Sequence, residues 1–240
     1  MKRGKRIVEA RGQVDREHEH SPAEAIAELK RIPPAKFDES IEMHIRTGLN
    51  VRHADEQLRG TIALPNGRGR DVTVAVFAQG DAAREAQEAG ADIVGAEDLA
   101  KRVEEGFTDF DVAIATPDMM PLVGRLGRIL GPAGKMPNPK VGTVTTDVRK
   151  AVQESKSGKV EYRTDRTAIV HLVIGKRSFP DRALLENYQA VIEEIIRAKP
   201  SVAKGRYLRS IVLASTQGPG VKVDPTRTRD IVEEAPAVAA

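Results

Sequence analysis

The residue types able to do catalysis are few, and their spacing is wrong for it. The five histidines are His18, His20, His44, His53 and His171. Only His18 and His20 are near neighbours, in a charged stretch where a weak metal clip competes with a plain solvated segment. Gly67-Arg68-Gly69-Arg70-Asp71-Val72 begins like a dinucleotide loop but lacks the third glycine and precedes a strand. Gly134-Lys135 is followed by Met136, so a phosphate loop fails at its last position. No H-E-x-x-H or nucleophile elbow occurs, and pairs such as Glu104-Glu105 fall on exposed helix faces. There is no cysteine, which removes thiolate metal sites, disulfides and cysteine nucleophiles. The reading is a non-enzyme with no cofactor, no metal and no small-molecule substrate. Its rival, an α/β enzyme for a nucleotide or metabolite, lacks the phosphate loop such an enzyme needs.

A different chemistry is concentrated between Ile114 and Thr143. Glycines at 124, 127, 131, 134 and 142 alternate with prolines and with Arg125, Arg128, Lys135 and Lys140. Open backbone N–H groups beside cations suit phosphate contacts. The same pattern also suits a loop packed on its own domain. Charge along the chain favours a polyanion partner. Residues 1–70 carry 14 basic and 11 acidic side chains, 71–117 carry 3 and 11, 118–150 carry 6 and 2, and 151–240 carry 15 and 11. The acidic block is thus flanked by basic ones, as expected where basic surfaces meet nucleic acid. Aromatics are only 3% of the chain, which argues against a single-strand binder built on serial base stacking, and an ordinary solvated surface remains the alternative to a polyanion site.

The elements that must position these residues change texture twice. Ser21-Pro22-Ala23-Glu24 reads as a capped helix start, and Pro33-Pro34 stops that helix. Ile41, Met43 and Ile45 alternate with Glu42, His44 and Arg46, a half-buried strand, and a second strand runs through Ile62 and Leu64. After a breaker cluster at 65–69, apolar strands at 72–78, 93–94 and 111–115 alternate with helical stretches at 81–89, 97–105, about 118–130 and about 146–157. That alternation predicts a parallel sheet covered by helices. Beyond it come strands at 160–163 and 168–173, a helix over 181–198 and a strand over 207–216. The fold expected is α/β and α+β: a discontinuous α+β domain (1–67 and 160–229) with an inserted α/β domain (68–159), joined by a double hinge. Residues 230–240 lack periodicity and are expected to be a disordered tail. No run of about 18 apolar residues is present, and no apolar core follows the basic start, so no membrane partner is expected and the cytoplasm is the expected place.

The segment Pro121-Leu122-Val123-Gly124-Arg125-Leu126-Gly127-Arg128-Ile129-Leu130-Gly131-Pro132-Ala133-Gly134-Lys135-Met136-Pro137-Asn138-Pro139-Lys140 closely resembles the signature of the ribosomal protein L-one family, in its bacterial form. Ala35-Lys36-Phe37-Asp38-Glu39-Ser40, Leu58-Arg59-Gly60-Thr61, Glu88-Ala89-Gly90-Ala91-Asp92, Phe179-Pro180, Lys204-Gly205 and Leu208-Arg209-Ser210 match in the same order. The resemblance spans about residues 1–227. It implies an RNA-binding first domain and a three-layer, Rossmann-like insert. It also implies binding to the stalk junction of large-subunit ribosomal RNA, assistance in stalk motion and in release of deacylated tRNA from the exit site, and repression of the protein's own mRNA through an operator. The residues it carries over in the first domain are Lys36, Phe37, Ser40, Arg163, Asp165, Arg166, Thr167, His171, Ser210, Thr216, Gln217, Gly218 and Pro219. In the second they are Arg125, Arg128, Lys135 and Lys140, with weaker contacts. Phe37 is either an RNA contact or a core residue, and His171 either a contact or a strand residue. Three features depart from the family. Gln217 stands where methionine is usual, Ala133 replaces an arginine while Lys135 adds a lysine two positions on, and the tail after about residue 228 has no counterpart.

Overall fold

A computed structural model describes residues 4–227, so the expected tail at 230–240 lies outside the described residues. The chain separates into two compact units, one running to Gly69 and resuming at Tyr162, the other spanning Arg70–Glu161.

The first unit opens with helix α1 (Lys5–Gln13), which the sequence reading did not anticipate. Helix α2 (Pro22–Arg31) begins where expected. The Ser21 hydroxyl accepts the Glu24 N–H, and the Glu24 carboxylate accepts the Ser21 N–H at 2.9 Å. Strand β1 (Ser40–Thr47) follows, then β2 (Arg59–Ala63).

The second unit contributes β3 (Val74–Phe77), α3 (Asp81–Glu88), β4 (Ile93–Gly95), α4 (Glu97–Glu104) and β5 (Val112–Ala115). The stretch expected as one helix near 118–130 is a 3-10 turn at Pro117–Met119, then α5 (Met120–Arg125) and α6 (Gly127–Leu130). Glycine weakens a helix interior, and Gly124 and Gly127 flank the break. Gly131 then lies so close to the Gly127 carbonyl that a Cβ would sit 2.5 Å from its oxygen. Helix α7 (Val148–Lys156) is capped by Asp147, which accepts the Lys150 N–H at 3.1 Å. The three strands form a parallel sheet ordered β4-β3-β5. Alternation along β3 divides the core. Ala75 and Phe77 pack with Leu99, Val103, Val123 and Leu130, whereas Val74 and Val76 pack with Ala86, Val148 and Val152. The sheet is therefore buried on both faces, as its continuous apolar strands require.

The chain completes the first unit with β6 (Lys159–Arg163), β7 (Ile169–Lys176), α8 (Asp181–Arg197), β8 (Leu208–Ser215) and β9 (Gly220–Val223). β2 and β6 form a two-stranded sheet, and the others an antiparallel sheet ordered β7-β1-β8-β9. One face of the larger sheet presents Ile41, Met43, Ile45, Leu172, Ile211 and Leu213, all buried, to α2 and α8. Those helices answer with Ile26, Leu29, Leu184, Tyr188 and Val191. Because side chains alternate along a strand, the opposite face must carry Glu42, His44, Arg46, His171, Ser210 and Lys222, and all are exposed or half-buried. No helix among the described residues is long and apolar enough to cross a membrane.

Candidate nucleic-acid interface

The first-domain residues singled out in the sequence gather at the two ends of this polar face. Six residues of strand separate Ser40 from Arg46, about 20 Å. At one end lie Lys36, Phe37, Ser40, Thr216, Gln217, Gly218 and Pro219. The N–H of Ser40 donates to the Thr216 hydroxyl at 3.0 Å, and the N–H of Thr216 donates to the Ser40 carbonyl at 3.0 Å. Lys176 Nζ donates to Ser40 Oγ at 2.9 Å, which leaves the serine proton free for an outside acceptor. Phe37 is 49% exposed, so it is not a core residue. Lys36 is exposed, and no hydrogen bond or ion pair among the described residues holds its ammonium.

Beneath this end sits Glu39, fully buried. Its carboxylate accepts the Gln217 N–H at 3.0 Å and the Ala35 N–H at 3.2 Å, and it lies 3.5 Å from the Arg177 guanidinium. One buried anion therefore fixes the loop before β1 and the loop after β8 together. A Cβ on Gly218 would sit 2.2 Å from the Ser215 hydroxyl, so the loop after β8 needs glycine there.

At the other end lie Arg163, Asp165, Arg166, Thr167 and Ser210. Asp165 organises the turn into β7. Its carboxylate accepts the N–H of Thr167 and of Ile169, each at 2.8 Å, and the Thr167 hydroxyl at 2.7 Å. Burial pushes this carboxyl up, but the bonds from Ile169, Thr167 and His171 outweigh it and hold its pKa at about 2. The Thr167 proton is thus committed inward, while its oxygen remains an acceptor. Arg163 and Arg166 are exposed, and neither they nor the Ser210 hydroxyl has a side-chain partner among the described residues. Arg46, overlooked in the sequence, stands between Ile169 and Ser210 in register and is exposed.

Between the two ends, His44 and His171 face each other across β1 and β7 with their Nδ1 atoms 2.9 Å apart. Burial pushes the His44 pKa down, the charge of His171 adds to this, and Glu42 opposes it. His171 is therefore both a strand residue and part of the polar face. Its partner His44, with Glu42, was legible only as the polar half of an alternating strand, and Lys222 lies on β9, which the sequence did not reveal.

Residues 29–219 match the profile of the ribosomal protein L1p/L10e family. The chain belongs to that family. Its members are ribosomal proteins and not enzymes. One curated relative, the large ribosomal subunit protein uL1 of Rubrobacter xylanophilus, is 58% identical over 228 residues, covering 95% of this chain and 99% of the relative. The matched span of this L1p/L10e chain contains every candidate residue above. It leaves out α1 and β9.

In the second unit of this L1p/L10e protein, Arg125, Arg128 and Lys140 are exposed, and their side chains hold no partner among the described residues. Lys135 differs. Its ammonium donates to the Thr108 carbonyl at 2.8 Å and lies 5.4 Å from the Phe110 ring centroid, so it ties its own loop down. Asn138 closes the same loop: its side chain accepts the Lys140 N–H at 2.8 Å, and its N–H donates to the Thr143 hydroxyl at 2.8 Å. The signature loop is packed on its own domain at some residues and open at others. Its glycines and Asn138 shape the loop, and its arginines are left outward.

Proposed function

We propose that this protein is a structural constituent of the large ribosomal subunit, in the cytoplasm, and binds the stalk junction of large-subunit ribosomal RNA through the polar sheet face of its first unit. The observation that carries this reading is the convergence of four distant segments (36–40, 163–167, 210 and 216–219) on the two ends of one sheet. The 58% identity to the uL1 relative supports the ribosomal assignment.

The chemistry follows from the groups left unsatisfied. Lys36, Arg46, Arg163 and Arg166 neutralise phosphates. Ser40 offers a hydroxyl proton, Thr167 a hydroxyl oxygen and Ser210 both, which suits the ribose 2′-hydroxyl as donor and acceptor and so selects RNA over DNA. The Thr216 hydroxyl is already engaged with Ser40 and acts mainly by holding the loop. Phe37 supplies apolar contact to a sugar or base. The second unit adds weaker contacts through Arg125, Arg128 and Lys140. The chain passes between the units twice, near residues 69–70 and 161–162, and the two crossings serve as a double hinge. On this reading the domains correspond to 1–67 with 160–229, and 68–159. Swinging of the insert accompanies stalk motion and release of deacylated tRNA from the exit site. The same first-domain surface represses the protein's own mRNA through an operator that mimics the ribosomal site.

The test is binding of the full chain to a stalk-junction RNA of about eighty nucleotides against a scrambled duplex, across a salt series. Junction-selective binding that survives moderate salt is expected. Equal, steeply salt-sensitive binding to both RNAs would reduce the surface to a non-specific basic patch.

A further inference from the structure

The N-terminal helix, outside the matched family span, reaches the candidate RNA site through one side chain. Arg6 Nη2 donates to the Gln217 carbonyl at 2.8 Å and to the Gln217 side-chain Oε1 at 3.2 Å, and Arg6 Nη1 donates to the Pro33 carbonyl at 3.1 Å. A guanidinium has donors only, so the Gln217 amide must turn its oxygen toward Arg6. Its nitrogen, with two N–H donors, then points away, and no group among the described residues accepts from it. Gln217 is exposed, and a cavity of about 480 Å³ opens beside it, lined by Gly4, Arg6, Ile7, Gln217 and Gly218. The backbone N–H of Gln217 is meanwhile held by buried Glu39, so both the main chain and the side chain of this residue are fixed.

We infer that Arg6 is a specificity-determining positioning residue: it locks Gln217 so that the amide presents two donors to an acceptor atom of the bound RNA. The inference rests on the reading of this sheet end as an RNA contact. It replaces the apolar contact that methionine would make at 217 with a directional polar one, and it assigns α1 a part in recognition. Arg6 acts here through Gln217 and not as a phosphate contact, since its hydrogen bonds run to protein oxygens.

The experiment is a double-mutant cycle in the full chain, with the eighty-nucleotide junction RNA as probe. Wild type, R6M, R6K, Q217M and R6M/Q217M are compared, with circular dichroism melting to confirm folding. R6M should weaken binding about tenfold while Gln217 is present, the scale of one charged-donor hydrogen bond. In the Q217M background the same change should cost at least about threefold less. R6K keeps the charge but cannot span both oxygens and Pro33, so it should behave like R6M. The salt slope should stay unchanged in R6M, because no phosphate contact is lost. Equal costs in both backgrounds, or wild-type affinity in R6K, would overturn the inference while leaving RNA binding intact. A salt slope reduced by about one in R6M would instead make Arg6 a direct phosphate contact and overturn the positioning role. Wild-type protein that fails to distinguish the junction from a scrambled duplex would bring down the RNA reading, and this inference with it. A rise in R6M of the fast side-chain mobility of the Gln217 amide, read by NMR relaxation, supports the lock independently of RNA, and unchanged mobility refutes it.

Discussion

His44 and His171, 127 residues apart in sequence, share a hydrogen bond between their Nδ1 atoms at 2.9 Å on the polar face of the sheet. One ring must donate and the other accept. The groups around the pair are Glu42 and Arg46 on β1, Asp165 in the turn before β7 and Lys222 on β9. Burial and His171 hold the folded-state pKa of His44 below its ordinary 6.5. As pH falls past that value the unfolded chain takes the proton first, so this site withdraws stability on the acid side. Melting temperature should fall between about pH 7.5 and 5.5, and H44Q should flatten that dependence. An H44Q profile parallel to wild type would show that the pair does not titrate in this window.

Asp165 is the hub of the turn into β7, accepting from Thr167, Ile169 and His171. Its pKa of about 2 lies below the ordinary 3.8. The sign is opposite to that of His44: its contribution is complete above 3.8 and is lost as pH falls through 2. D165A should cost about 1–3 kcal/mol by stranding those donors. The same turn holds Ala168 at φ 61°, the left-handed region. A168V should destabilise by at least about 1 kcal/mol, since a branched Cβ is strained there, while A168G should be tolerated. Urea midpoints at neutral pH check both.

Gly218 and Ser215 make a testable steric pair. The Ser215 hydroxyl is buried without a partner and occupies the place a Gly218 side chain would take. G218A should cost about 1–3 kcal/mol and weaken RNA binding, because the loop carrying Gln217 must move. Removing the hydroxyl as well, in S215A/G218A, should restore most of both. Failure of that rescue would mean the backbone, and not the hydroxyl, forbids the side chain.

Glu39 is fully buried, and Arg177 is its cation. E39A should cost about 3–5 kcal/mol, since the guanidinium loses its counter-charge in the interior. E39Q retains much of the hydrogen-bonding shape and should cost less. Calorimetric melting of the two variants orders them, and equal losses would assign the role to the negative charge alone.

Arg163 and Arg166 hold no side-chain partner among the described residues. R163M and R166M should each leave the melting temperature unchanged and lower the slope of log affinity against log salt by about 0.7–0.9. An unchanged slope would take that residue out of phosphate contact.

Much of the scaffold was legible because it is local. The capping box at Ser21, the alternation of Ile41, Met43 and Ile45, and the apolar run ending at Ala78 state their structures within a few residues. Where short-range signals were weak, elements were missed. The α1 segment Lys5–Gln13 buries only Ala10 and has little apolar periodicity to read. Strand β9 is four residues long, directly follows Pro219, and buries only Val221 and Val223. The break at Leu126 was hidden inside a pattern that looks helical on both sides.

The candidate site divides the same way. Residue types and order alone determined the absence of catalytic motifs, the split of the chain into textures, the exposed cations and hydroxyls, and the family. What those groups have left to offer was decided by tertiary structure. Only the fold turns Lys135 back on Thr108, spends the Thr216 hydroxyl on Ser40, pairs His44 with His171, and places Arg6 on Gln217 across 211 residues. The physical reason is that a polar side chain's availability depends on which donors and acceptors surround it. Those neighbours come from distant strands whose register no local pattern encodes.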